Sequence, residues 1–259
     1  MSGVRPYYQR FTILIRIVTL ICLCFGFAFP AGSAEHIKVA FGNALAPWIM
    51  PETNSGIILD IIRESLEPVG YTIEPIYYPY ARRVKSFKQG LVDATSDMNL
   101  NTITNENLEG FFSDNAYTYE NYAFSLHENA YQFKHLNDLA GLRLMSWQGA
   151  IAHLGDEYAK MASGNAFYKE SHDQASQVKM LFLKRVDVIQ LDEQIFNYYR
   201  VKVNQQGDIS TNASVDRFPL FGKSPNGFLF RSKKIRNLFN QQLKRIKENG
   251  QYDKIFERY

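Results

Sequence analysis

The chain has 259 residues, 46% of them hydrophobic and 21% charged, with a formal net charge of +3. That length and apolar content suffice for one large core or two smaller ones and exclude a disordered chain. The charge excess is local: Arg5, Arg10 and Arg16 face no acid before residue 35. Without them Lys+Arg falls from 29 to 26 against 26 Asp+Glu, so a polyanion-binding reading of the remainder loses its electrostatic support.

The three arginines precede the apolar run "IVTLICLCFGFAF", which at about 13 residues is shorter than the ~20 a membrane-spanning helix needs. "PAGSA" follows with small residues at Gly32 and Ala34, so residues 1–34 are expected to be a signal peptide cut after Ala34; the alternative is an uncleaved anchor. Export follows under either reading. Neither Cys22 nor Cys24 has a small residue immediately before it, which argues against a lipoprotein. Both leave with the signal, and a chain without cysteine then relies on its core rather than on disulfides, as suits a bacterial periplasm.

From Glu35 the chain alternates strands and helices. "HIKVAFG" reads as a first strand, and "IILDIIRESLEPVG" as a helix with Ile57, Ile58, Ile61, Ile62 and Leu66 on one face, broken at Pro68 and closed at Gly70. "YTIEPIYY" is a second strand interrupted by Pro79, "ARRVKSFKQG" a short helix with Val84 and Phe87 inward, and "LVDATSDM" a buried third strand. This β-α-β-α-β series predicts a parallel sheet with helices on both faces.

The long run "YTYENYAFSLHEN" reads as a crossover strand. The grammar then repeats: "LRLMSWQG" strand, "AIAHLGDEYAKMA" helix, "AFYKE" strand, "ASQVKMLFLKR" helix, "VDVIQLD" strand. "NGFLFRS" is a second crossover, followed by the amphipathic helix "KKIRNLFNQQLKRIKENG" and "YDKIFERY". Two α/β lobes follow, with "FKQGLVDATSD" and "FLKRVDVIQLD" as a structural echo of one another.

Ligands of open α/β sheets sit beyond the carboxyl ends of the strands. That rule selects Trp48, Tyr80 and Arg82 in the first lobe. In the second it selects Trp147, the N–H groups at the helix start after Gly149, and Asp192; an aromatic and guanidinium set of this kind suits a small flat or anionic solute. Arg82 and Arg83 lie where a helix begins, where positive charge opposes the helix dipole by about 0.3 to 1 kcal/mol each. Either a bound anion or nearby acids should offset that. No G-x-S-x-G, H-E-x-x-H, Walker or G-x-G-x-x-G motif is present, and His36, His127, His135, His153 and His172 show no metal-ligand spacing, so neither a cofactor nor catalysis is expected.

The order of these blocks resembles the family 3 extracellular solute-binding proteins, the amino-acid type of bacterial periplasmic binding protein. The similarity rests on Gly56 to Asp60, Pro79 to Arg82, Gly90 to Asp93, "FSDNAY", "HLNDLAGLRLMSWQG" and the closing "NGFLFRSKKIRNLFNQQLKRIKENGQYDKIFERY". The resemblance implies a type 2 periplasmic binding fold, two Rossmann-like α/β lobes joined by two hinge strands around a cleft. The segments expected are 35–124 and 219–259 for the first lobe and 125–218 for the second. By position it places Trp48, Tyr80, Arg82 and the loop Asn99 to Asn107 on one bank, and Gly149, Ala150 and Asp192 on the other.

Two family marks of α-amino-acid recognition are missing. Asn107 stands where an arginine clamps the ligand carboxylate, and Gly149-Ala150-Ile151 replaces a G-[ST]-[ST] element. Either Arg82 supplies the anion contact from another direction, or the ligand is not an α-amino acid. The resemblance implies a monomer in the periplasm that captures a small polar or anionic metabolite by lobe closure and delivers it to an ABC transporter permease, with no nucleic acid partner. An enzyme similar to cyclohexadienyl dehydratases and a sensory module for a membrane signalling partner are the alternatives.

Overall fold

The computed structural model describes residues 35–259; the expected signal peptide lies outside them. In chain order, the first lobe opens with β1 (Glu35–Phe41), α1 (Ile57–Leu66), β2 (Tyr71–Tyr77), α2 (Tyr80–Lys88), β3 (Ala94–Met98), α3 (Leu100–Asn105) and β4 (Phe111–Phe112). β5 (Tyr117–Leu126) leads to β6 (Leu144–Trp147), α4 (Ala150–His153), α5 (Asp156–Ser163), β7 (Lys169–Ser171), α6 (Gln174–Phe182), β8 (Val188–Asp192), α7 (Glu193–Gln205) and β9 (Val215–Phe218). The chain then returns through β10 (Lys223–Phe230) to α8 (Lys233–Glu248) and α9 (Gln251–Phe256).

The strands lie in the order β2-β1-β3-β10-β5-β8-β6-β7, with β4 added to β10 and β9 to β5. β1 is parallel to β2 and β3, and β6 is parallel to β7 and β8, so each lobe has the same 2-1-3 arrangement. The two antiparallel strands between them change partners along their length. β5 pairs with β10 through Tyr117 to Glu120 and with β8 through Asn121 to Ser125; β10 pairs with β5 up to Asn226 and with β3 from Gly227. A strand that belongs to two sheets in turn is a connection about which those sheets can rotate.

The first-lobe sheet is buried on both faces because its strands alternate between two apolar layers. Val39, Phe41, Phe228 and Phe230 pack with α1 and α8, while Ala40 and Leu229 meet Val84 and Phe87 of α2 on the other side. α1 buries Ile57, Ile58, Ile61, Ile62 and Leu66 as its periodicity predicts, and the chain leaves through Gly70 at φ 96°.

Gly56, at φ 125°, is a close backbone approach: a Cβ there would lie 2.6 Å from the Trp48 carbonyl oxygen. Only glycine fits such a backbone. That contact lets Ile57 N–H donate to the Pro47 carbonyl (3.0 Å) and Ile58 N–H to the Trp48 carbonyl (3.1 Å), so the helix start holds the Trp48 loop in place.

Differences from the sequence reading fall where local signals compete. The single helix expected over 150–162 is broken between His153 and Asp156, with Gly155 at φ 92°. The stretch after β3, expected as a loop, contains α3, because Asn99 caps it by accepting from Thr102 N–H at 2.9 Å.

Candidate functional site

Arg82 and Arg83 are adjacent in α2, so their side chains leave the helix about 100° apart. Arg82 is exposed and its guanidinium lies 4.8 Å from the ring centre of Tyr78. Arg83 is 5% exposed, passes the Tyr80 ring at 5.6 Å, and its Nη1 donates to Asp97 Oδ2 at 2.5 Å. Of the two outcomes expected for these arginines, Arg83 takes the nearby acid.

Asp97 sits on β3 with φ 54°. Its Oδ1 accepts the hydroxyls of Tyr117 (3.0 Å) and Tyr119 (2.7 Å), and its backbone N–H donates to Tyr117 Oη at 2.8 Å. Tyr117 and Tyr119 are two apart on β5 and therefore share a face. Desolvation pushes the Asp97 carboxyl up, but the Arg83 charge and the two hydroxyls outweigh it and hold it below its ordinary value. Both tyrosines are pushed well above the usual phenol value, by burial first and by the Asp97 charge second.

Asn99 is committed as the α3 cap, its Nδ2 reaching Asn226 Oδ1 at 3.4 Å, and it borders a depression of about 490 Å³ with Asn115, Lys223 and Ser224. Asn107 is exposed at φ 48°, its N–H donating to the Thr104 carbonyl; asparagine tolerates this left-handed turn after a helix.

On the second bank, β6 ends at Trp147 and turns through Gly149 at φ 96° into α4. Trp147 is half-buried, 5.5 Å from the His153 ring, whose Nδ1 donates to the Gly149 carbonyl at 2.8 Å. Ala150 is fully buried. The N–H groups of Gly149 and Ile151 both donate to Glu170, at 2.8 and 3.0 Å, and Tyr168 Oη donates to the same carboxylate at 2.9 Å. Desolvation raises the Glu170 carboxyl, and these donors more than reverse it, so it ends below its ordinary value.

Asp192 caps α7, accepting from Gln194 and Ile195 N–H. The same carboxylate accepts Trp48 Nε1 at 2.7 Å and Glu120 N–H at 2.9 Å. The structure thus joins Trp48 and Asp192, which lie 144 residues apart in the chain. Removal from water pushes the Asp192 carboxyl up to about 6, against the lowering pull of its four N–H donors.

An acid raised on folding binds more protons in the native state. Its contribution to stability is therefore full below about pH 4 and is lost as pH rises through about 6. The stability gap between the wild type and Asp192→Asn should move by about 2 kcal/mol in favour of the variant between pH 4 and pH 7. Urea denaturation at the two pH values measures this, and a gap independent of pH would refute it.

Among the residues expected at the cleft, Tyr80 lies beside Arg83 while Arg82 turns toward Tyr78. Asp97, Tyr117, Tyr119 and Glu170 were not singled out from the sequence. The tyrosine alternation in "YTYENY" is the one local signal that points to a shared face.

Two 2-1-3 sheets bridged by a pair of exchanging strands define a type 2 periplasmic binding fold. The description "bacterial extracellular solute-binding proteins, family 3" matches residues 37–259, and the chain belongs to that family. An ancestral cationic amino acid solute-binding protein superposes with a TM-score of 0.69 at 17% identity, over 87% of this chain and 95% of that one. A histidine kinase sensor domain with similarity to periplasmic binding proteins gives 0.60 at 15% identity, over 88% and 96%. An amino acid ABC transporter substrate-binding protein of Streptococcus pneumoniae, bound to L-arginine, gives 0.57 at 15%, over 86% and 93%. At these identities the likeness is one of fold. Comparison with curated proteins gives no match. Among the described residues, no helix is long and apolar enough to cross a membrane.

Proposed function

We propose that the protein is a periplasmic solute-binding protein, exported by residues 1–34, that closes its lobes over a small polar metabolite of amino-acid size. It hands that solute to an ABC transporter permease, acts as a monomer and catalyses nothing. Segments 35–124 and 219–259 form one jaw and 125–218 the other.

The observation that carries this reading is the pair of strands, β5 and β10, that exchange partners between two like sheets whose carboxyl edges each gather polar and aromatic groups. A ligand touching both edges favours the closed state by its extra contacts there. Tyr80 and Asn99 on one side, and Trp147 and Gly149 on the other, are the proposed lining, with Trp48 and Asp192 holding the base. The transporter protein bound to L-arginine and the ancestral amino acid binder support this reading.

Thermal shift of residues 35–259 against amino acids, amines, organic acids and short peptides is the test. A solute at a hundred times its Kd should stabilise by about 2.7 kcal/mol. Absence of any shift across that panel would sink the reading. The kinase sensor domain of the same fold favours sensing as a second reading. A deletion strain separates the two, since transport predicts lost uptake of the stabilising solute and sensing predicts lost signalling with uptake intact.

A further inference from the structure

We propose that the cleft takes an organic amine or guanidine that carries no carboxylate. This deepens the solute-binding reading and rests on it. On each bank a carboxylate of the protein already holds the donors that a ligand carboxylate would need.

On the second bank the donors are the N–H groups of Gly149 and Ile151, both bonded to Glu170, which Tyr168 braces. An incoming carboxylate would have to displace Glu170 and remain beside its charge, and like charges that close repel strongly. On the first bank the cation is Arg83, and its charge is matched by Asp97. The more exposed member of that pair is the acid: the Asp97 side chain is 19% exposed and that of Arg83 6%. Arg83 Nε is buried without a partner, Tyr80 lies against the guanidinium, and the side chain as a whole is 6% exposed.

Lys223, the cation beside Asn99, is paired with Glu120 at 2.6 Å. Asn107 carries no charge, and Arg82 is turned to Tyr78. What the two edges offer instead is acceptors with aromatic walls. Glu170 is exposed and its Oε2 takes a single donor, from Gly149, which leaves a lone pair free. Trp147 and Tyr168 on that bank are half-buried and Tyr80 near Asp97 is exposed, and aromatic faces favour ammonium or guanidinium groups.

The test is calorimetry on residues 35–259 with four amines, putrescine, cadaverine, agmatine and histamine, each against its parent amino acid, ornithine, lysine, arginine and histidine. At least one amine should bind, and its parent should bind about tenfold more weakly or worse. Glu170→Gln, an exposed substitution, should weaken that amine by about tenfold. A parent amino acid binding as tightly as its amine, or unchanged amine affinity in Glu170→Gln, overturns the inference. Binding of some other solute while all four amines fail also overturns it and leaves the solute-binding reading standing. Failure of every solute removes both.

Discussion

Replacing Arg83 by alanine is expected to cost about 3 to 5 kcal/mol of folding stability, whereas Arg82→Ala, one residue earlier, should cost less than about 0.5 kcal/mol. The difference lies in what each substitution leaves behind. Arg82 is exposed, and its loss removes only a stacking contact with Tyr78. Loss of Arg83 strands the Asp97 carboxylate among Tyr117, Tyr119 and the sheet, with two hydroxyls and no cation to offset its desolvation.

The pH dependence has a defined sign. Asp97 is held below its ordinary value in the wild type, so its contribution is present at neutral pH and is lost as pH falls through the carboxylate range. The gap between wild type and Arg83→Ala should therefore narrow in acid, where Asp97 becomes neutral. Urea denaturation of both variants at neutral pH and in acid measures it. Equal costs for the two arginine substitutions would contradict the placement of Arg83. A cycle with Asp97→Asn separates the pair from its surroundings, because residues in direct contact are not additive.

Trp48→Ala should cost a similar amount, about 3 to 5 kcal/mol. The indole is 1% exposed and packs against Tyr117, Tyr119 and Phe256 at ring separations of 5.7, 4.7 and 6.0 Å. Alanine removes that packing and also one of the four N–H donors to Asp192. Trp48→Phe keeps a ring in the site and loses the donor, so it should cost about 1 to 3 kcal/mol. That cost should shrink at pH 5 and below, because protonated Asp192 needs the donor less. Only Trp48 and Trp147 contribute indole fluorescence, so Trp147→Phe leaves a spectrum that reports the Trp48 environment alone. A Trp48→Ala cost under about 1 kcal/mol would mean the site collapses without loss, contrary to the close packing seen here.

Trp48 also joins the halves of the molecule. Its loop is fixed on the start of α1, and its Nε1 reaches the strand end that caps α7 in the other lobe. A bond in that position lies beside β5, where the two sheets share a strand. The lobe closure proposed for ligand capture would therefore act on it directly.

Much of the fold was legible along the chain because its signals are local. The isoleucine spacing of α1, the β-branched first strand, Pro68 and Gly70, and the repeated strand-helix order need only neighbours a few residues apart. The same is true of the ordered short blocks that carry the family resemblance. Boundaries went astray at Gly155 and Asn99, where one residue's turn or cap preference competes with a longer pattern.

The site was much less legible, and "ARR" shows why. Both arginines have the same charge and the same propensity, and the 100° between them decides which is buried only when the sheet beneath is in place. Asp97 meets Arg83 from another strand, Glu170 reaches Gly149 from a neighbouring strand end, and Asp192 meets Trp48 across the hinge. By itself the sequence determined the order and kind of the elements, the two-lobed class and the apolar faces, since periodicity alone sets which side of an element is buried. Only the tertiary structure decided which charges are matched and which acceptors remain free, because electrostatic and hydrogen-bond partners are chosen by proximity in space, which spacing along the chain does not encode.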